Sequence, residues 1–250
     1  MSPDFRAQIK DGRLLIGTMI TLSSPEVAEI LADVGFDWLF VDTEHSPFDV
    51  QSAQGILQAA GDRCPCVLRV PSSDEVWIKK ALDIGAAGII VPQVSSARQA
   101  ERIVAFAKYP PEGSRGVGLG RAHRYGLRFQ EYLASANREV AVIVQAEHIQ
   151  TVKNIATIVR VPGIDAIFVG PYDLSASLGK TGQVTHKAVL KAIDRVKTAC
   201  LKAGVRLGIF GTTAAAVQPF IAQGFSLITV GTDTLFTASA AGATLAELKG

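Results

Sequence analysis

The chain has 250 residues and a mass of 26.5 kDa, and its 48% hydrophobic and 19% charged residues suit one α/β domain while excluding intrinsic disorder. A formal charge of +2 leaves no one-signed field with which to hold nucleic acid or an anionic membrane, so neither is expected as a partner. Charges interrupt the N-terminal MSPDFRAQIKDGRLL where a signal peptide needs an apolar core, and no apolar run approaches the ~18 residues of a membrane span, so a cytoplasmic protein is expected.

Short β-branched or aromatic runs alternate along the chain with longer segments whose apolar residues recur every three to four positions. The first strand is LLIGTMIT from Leu14, followed by the helix SSPEVAEILADVG with Ser24 as N-cap, Pro25 at the first helical position and Gly35 at the stop. WLFVDTEH from Trp38 leads to the helix DVQSAQGILQAAGD, and CVLRVP from Cys66 to SSDEVWIKKALDIG. Cys64 and Cys66 alternate along that strand and read as buried thiols, since their spacing does not fit a CxxC pair. GIIVPQV from Gly88 precedes SARQAERIVAFAKYP, after which a Gly- and Arg-rich stretch from Arg115 to Glu139 interrupts the alternation. Such a long connection is expected to be a functional loop or a contact surface; Arg115, Arg121, His123, Arg124 and Arg128 could meet an anionic substrate, but most of them read as a solvated basic face.

The second half resumes the pattern with VAVIVQAE from Val140, IQTVKNIATIVRVP, AIFVGP from Ala166 and the helix HKAVLKAIDRVKTACLKAG. RLGIFG from Arg206, TAAAVQPFIAQG, SLITVGTD from Ser226 and TLFTASAAGATLAELKG complete it. Four phrases, GFDWLFV, GAAGIIV, GIDAIFV and GFSLITV, each read as a helix C-cap feeding a buried parallel strand. Eight such alternations predict a single (β/α)8 TIM barrel over residues 1–250. No dinucleotide fingerprint opens the first helix, which argues against an open doubly wound sheet.

In a TIM barrel the reactive groups stand at the C-terminal ends of the strands. Asp42, Glu44 and His45 end the second strand, Arg69 the third, Gln145 and Glu147 the fifth, and Pro171, Tyr172 and Asp173 follow the sixth. Glu147 and Asp173, one βα repeat apart, place two carboxylates side by side, which calls for a cation or a shared proton, and an oxygen-rich set suits Mg²⁺ or Mn²⁺. The alternative is that one acid pairs with an arginine or caps a helix, as Asp173 before LSASLG could. His45 could serve as a general base or cap a helix. Arg69, in an otherwise apolar strand, needs an anion, either a substrate oxygen or an acid of a neighbouring strand. None of the eleven lysines lies at a strand's C-terminal end, so a Schiff-base mechanism has no candidate.

The stretches GFDWLFVDTEHSPFD, VLRVP, KYPPEGSRGVG, VQAE, FVGPYDLSASLG and ITVGTDT together resemble the HpcH/HpaI family of metal-dependent (class II) pyruvate aldolases, in register from about Gly17 to Asp233. The resemblance implies reversible retro-aldol cleavage of a 2-keto-4-hydroxy acid to pyruvate and an aldehyde, through a metal-stabilised pyruvate enolate. It places metal ligation on Glu147 and Asp173, with Mg²⁺, Mn²⁺ or Co²⁺ as the ion. His45 and Arg69 match the family's catalytic histidine and arginine, with Asp42 close by, and Asp83 matches an aspartate that reaches the histidine of a neighbouring subunit. Gln145, Tyr172 and Asp173 fall on pyruvate-binding positions. Met19 and Phe210 border the aldehyde pocket, where better-known members carry tryptophan and leucine. The family also implies a homohexamer, a trimer of dimers, in which the last helix is exchanged between subunits. The rival readings are a citryl-CoA or malyl-CoA type lyase and a catalytically silent metabolite-binding barrel.

Overall fold

The computed structural model describes residues 4–249, so the expected single domain extends beyond the described residues at 1–3 and 250. Eight parallel strands close into a barrel in sequence order, β1-β2-β3-β4-β5-β6-β7-β8. They are β1 (Leu15–Ile20), β2 (Trp38–Asp42), β3 (Cys66–Arg69), β4 (Gly88–Val91), β5 (Ala141–Ala146), β6 (Ala166–Val169), β7 (Arg206–Gly211) and β8 (Leu227–Thr232). The outer ring is formed by α2 (Pro25–Val34), α3 (Val50–Ala60), α4 (Glu75–Asp83), α5 (Ala97–Ala107), α7 (Ile149–Ile158), α9 (Lys187–Ala203) and α10 (Ala214–Ile221), with α8 (Pro171–Ser177) as a short turn above β6. A final helix, α11 (Asp233–Lys249), follows β8.

Local chemistry sets these boundaries. Ser24 Oγ accepts from Val27 N at 3.3 Å and Pro25 opens α2. Gly35, Gly85, Gly163 and Gly224, the glycines of the four recurring phrases, all take φ between 90° and 100°, the left-handed turn that ends a helix before the next strand.

Two elements are not evident in the sequence pattern. Helix α1 (Phe5–Lys10) lies across the base of the barrel, at the N-terminal ends of the strands, and buries Phe5 and Ile9. The Gly- and Arg-rich stretch is not a loop throughout: it holds a 3₁₀ turn at Arg121–Gly126 and helix α6 (Phe129–Glu139), which packs against α1.

Inside the barrel an aromatic column rises from base to mouth. Phe5 meets Trp38 at 5.8 Å between centroids, Trp38 meets Phe40 at 6.0 Å, and Phe40 meets Phe168 at 5.6 Å. It fills the lower barrel, and the polar residues begin above it. No helix among the described residues is long and apolar enough to cross a membrane.

Candidate active site

Side chains of a strand alternate between inside and outside, so Trp38, Phe40 and Asp42 share the interior with Val67 and Arg69, and with Ile143 and Gln145. The β2–β3 register sets Asp42 directly beside Arg69. Arg69 donates Nε to Asp42 Oδ1 at 2.8 Å and Nη2 to Oδ2 at 2.7 Å, a bidentate fork between two buried side chains. Its guanidinium lies 5.3 Å above the Phe40 ring, at the top of the aromatic column. The acid of a neighbouring strand therefore does answer Arg69's charge. Among the described residues, however, no hydrogen bond engages Nη1, which is left for another oxygen.

Asp42 also fixes the turn that follows it. Its Oδ1 accepts from Glu44 N at 3.1 Å and His45 N at 3.4 Å. Glu44 Oε2 is buried and stands 3.2 Å from Arg69 Nε, but that N–H is aimed at Asp42, and the oxygen has no hydrogen-bond partner. Burial pushes the Glu44 carboxyl up to about 7 against the pull of Arg69. His45 is exposed at the rim, its Nε2 3.7 Å from Glu44 Oε2, and it caps no helix, since Asp49 caps α3.

Glu147 follows β5 and is buried, and burial first, then the nearby Asp173, raises its pKa above the ordinary carboxylate value. Its Oε1 accepts from Gln93 N at 2.7 Å and its Oε2 from Gln145 Nε2. Gln145 Oε1 is buried with no partner. A Cβ at Gly170 would lie 3.0 Å from Gln145 Nε2 and 3.1 Å from Glu147 Cβ, so a larger residue at the end of β6 would push on this pair by a few tenths of an ångström. Asp173 occupies the third position of α8, behind Gly170 as N-cap, and is exposed; it does not cap the helix.

The arrangement fits a hard divalent ion: two carboxylates of like charge, one buried, stand next to an orphaned amide oxygen. No group of three or more His, Cys, Asp or Glu side chains is gathered among the described residues, so the chain would supply two carboxylates and leave the other positions to water and substrate.

Met19 is buried at the end of β1, within the interior cluster that Phe210 packs against. Tyr172, 41% exposed, meets Phe210 at 6.2 Å between centroids, an apolar flank to the mouth. Asp83 is not in this group. It ends α4 at the base of the barrel, where its Oδ1 accepts from Arg115 Nη2 at 2.7 Å.

The Arg115–Glu139 segment lies at the base as well, away from this mouth; Arg124 and Arg128 are exposed, as a solvated face requires, whereas Arg115 and His123 are buried. Arg115 is buried between the rings of Tyr109 and Tyr132, and Arg121 donates to Ile84 O and Leu57 O, carbonyls at the ends of α4 and α3. The sequence reading assigned no role to Glu44, Gln93 or Gly170. The first stood among the strand-end acids, and the last could have been found from the FVGP run that brings β6 to the mouth.

The family described as HpcH/HpaI aldolase/citrate lyase matches residues 15–240. A 4-hydroxy-2-oxovalerate aldolase of Rhodococcus jostii is 40% identical over 92% of this chain and 90% of its own length. A 4-hydroxy-2-oxo-heptane-1,7-dioate aldolase of Shigella sonnei is 40% identical over 99% of this chain and 95% of its own. Among solved structures, an HpcH/HpaI aldolase/citrate lyase family protein from Burkholderia cenocepacia superposes with a TM-score of 0.95 at 37% identity, covering 98% of each chain.

Proposed function

The chain belongs to the HpcH/HpaI aldolase/citrate lyase family and is a carbon–carbon lyase of the pyruvate aldolase type, and we propose that it cleaves a 4-hydroxy-2-oxo acid to pyruvate and an aldehyde with a divalent ion held by Glu147 and Asp173. The observation that carries the reading is the buried Glu147 carboxylate, set among Gln145, Arg69 and Asp173 with unpartnered polar atoms around it. Bound there, the ion supplies Lewis-acid stabilisation of the negative charge that develops beside the ketone as the bond breaks.

The remaining steps belong to the chain. Arg69 directs its free Nη1 at the keto oxygen, and Asp42 holds the guanidinium so that no reorientation is needed as charge grows. Gln145 turns toward the pyruvate unit, and the start of α8 around Tyr172 and Asp173 holds its carboxylate. His45, at the rim, removes the proton of the C4 hydroxyl and returns it in the condensation direction. Met19 and Phe210 shape the space for the aldehyde.

The reading extends to a homohexamer, a trimer of dimers. All residues of α11 from Thr234 to Lys249 are exposed, including Leu235, Phe236, Leu245 and Leu248. Most helical stability in proteins comes from packing one face against a neighbour, so a helix whose large apolar side chains are all exposed supports its docking on a second copy. Asp83, at the far end of its own barrel, would then meet the His45 of another subunit.

A coupled pyruvate assay on a panel of 4-hydroxy-2-oxo acids tests the reaction. Chelation should abolish cleavage, and Mg²⁺, Mn²⁺ or Co²⁺ should restore it. Inactivation by borohydride in the presence of pyruvate would overturn the mechanism, since it traps an imine.

A further inference from the structure

Gln93, in the turn after β4, has a φ of 57°, and among the described residues it shares positive φ only with Arg124 and Tyr125 apart from the glycines. The left-handed region is unfavourable for any residue with a Cβ, so the conformation persists only where its surroundings impose it. They do so here on both sides. The Gln93 N–H is held by Glu147 Oε1 at 2.7 Å, and the next carbonyl, of buried Val94, accepts from Thr151 Oγ1 at 2.8 Å. The Gln93 side chain is exposed and makes no hydrogen bond among the described residues.

Glu147 is thereby gripped from two strands. Gln145, its neighbour but one in β5, holds Oε2, and the peptide N–H after β4 holds Oε1. The left-handed turn at 93 lets the chain present this N–H to the carboxylate and then leave the mouth for the N-cap of α5 at Ser96. A residue that cannot hold that turn must shift the 92–93 peptide, and with it the carboxylate.

We infer that Gln93 is a positioning residue, whose left-handed backbone rather than its side chain orients the Glu147 carboxylate for a divalent cation. The inference rests on the reading of Glu147 as a cation ligand. It predicts that substitutions rank by their tolerance of positive φ and not by their resemblance to glutamine.

The test is Mn²⁺ binding to the full-length protein, followed by electron paramagnetic resonance titration, for Q93G, Q93N, Q93A and Q93V. Q93G should hold Mn²⁺ within about twofold of the native Kd, and Q93V should weaken it by about 10- to 100-fold, the range for a disturbed outer-shell partner. Q93N should fall near Q93G, and Q93A between it and Q93V, which keeps the series informative if Q93V does not fold. Equal affinities for Q93G and Q93A would overturn the backbone role, and a loss in Q93G as large as in Q93V would transfer the role to the side chain. E147Q separates the two readings. If it leaves Mn²⁺ affinity unchanged, Glu147 is not a ligand and both fail; if it abolishes binding while the series is flat, only the role of Gln93 fails.

Discussion

Two buried arginine–carboxylate pairs stand at opposite ends of this barrel and are used differently. At the base, Arg6 donates Nε to both oxygens of Asp165, at 2.8 and 2.9 Å, and Nη1 to the carbonyls of Asn137 and Arg138, while Asp165 also accepts from Val142 N at 2.9 Å. That pair ties α1 and α6 to the strands and has its acceptors occupied. At the mouth, Arg69 and Asp42 form an equally close fork, but Arg69 Nη1 is free, and Glu44 Oε2 and Gln145 Oε1 are buried without partners. Among the described residues Arg6 Nη2 also makes no hydrogen bond, so the difference lies in the acceptors: a pair whose carboxylate is fully engaged is a lock, whereas a pair set beside buried, unpartnered oxygens is a place for a ligand.

Crossing two substitutions tests this most severely. Arg6→Ala strands Asp165 inside the base and should cost about 3–5 kcal/mol of stability in urea unfolding, while turnover of the folded protein stays within about twofold. Arg69→Ala should cost less stability, because removing the side chain opens Asp42 to the mouth and two backbone N–H groups still hold it. Its turnover should fall by about 100- to 1000-fold, the loss typical of an oxyanion donor. The comparison breaks if both substitutions damage the same property.

Asp83 and Arg115 lie between these extremes. Arg115 is buried between two tyrosine rings with Nε unpartnered, and the Asp83 side chain is 29% exposed at the base. By the same reasoning Asp83 has capacity left over, yet at the wrong end to serve its own mouth. Asp83→Asn keeps an oxygen for Arg115 Nη2 but removes the charge opposite that buried guanidinium, so it should lower stability by about 1–3 kcal/mol and turnover by about 10-fold or more, the value of a charge-assisted hydrogen bond. Mixing the weakened Asp83→Asn and His45→Ala subunits under exchange should raise activity above the mean of the two parents if the two residues meet across subunits. No recovery, with exchange verified, would confine each site to one chain.

Legibility in the sequence followed the same division. The barrel was readable because helix-ending glycines and buried strands leave a repeated phrase, and because alternation carries Asp42, Arg69, Gln145 and then Glu147 to one mouth. The base was not. Arg6 and Asp165 are separated by 159 positions, and nothing in FRAQIK marks a six-residue helix that closes a barrel. The α6 helix was hidden by the glycines and arginines before it, and Gln93 by the absence of any glycine at its left-handed turn. Pairing, unlike periodicity, has no local trace.

The smallest effect concerns the base alone and depends on pH. Lys108 is buried beside Arg6 and donates Nζ to Asn137 O at 2.9 Å and Val140 O at 2.7 Å; burial, reinforced by Arg6, brings its pKa down from 10.5 to about 8. Between these values the unfolded chain keeps a proton that the folded chain has released, so Lys108 makes stability rise with pH across that window, by at most about 3 kcal/mol. Below pH 8 the residue is charged in both states and its contribution is flat. Burial raises the pKa of Tyr109 and of all three cysteines, so these groups lower stability in the alkaline range, but they do so equally in a Lys108→Met variant. The difference in unfolding free energy between the native protein and Lys108→Met should therefore move in favour of the native protein as pH rises from 8 to 10.5. A neutral amine still donates to both carbonyls, so the hydrogen bonds lost in the variant add only a constant offset. A difference that stays flat over the window would mean that Lys108 keeps its charge, and that the base holds two cations on one carboxylate instead of a lock closed by a neutral amine.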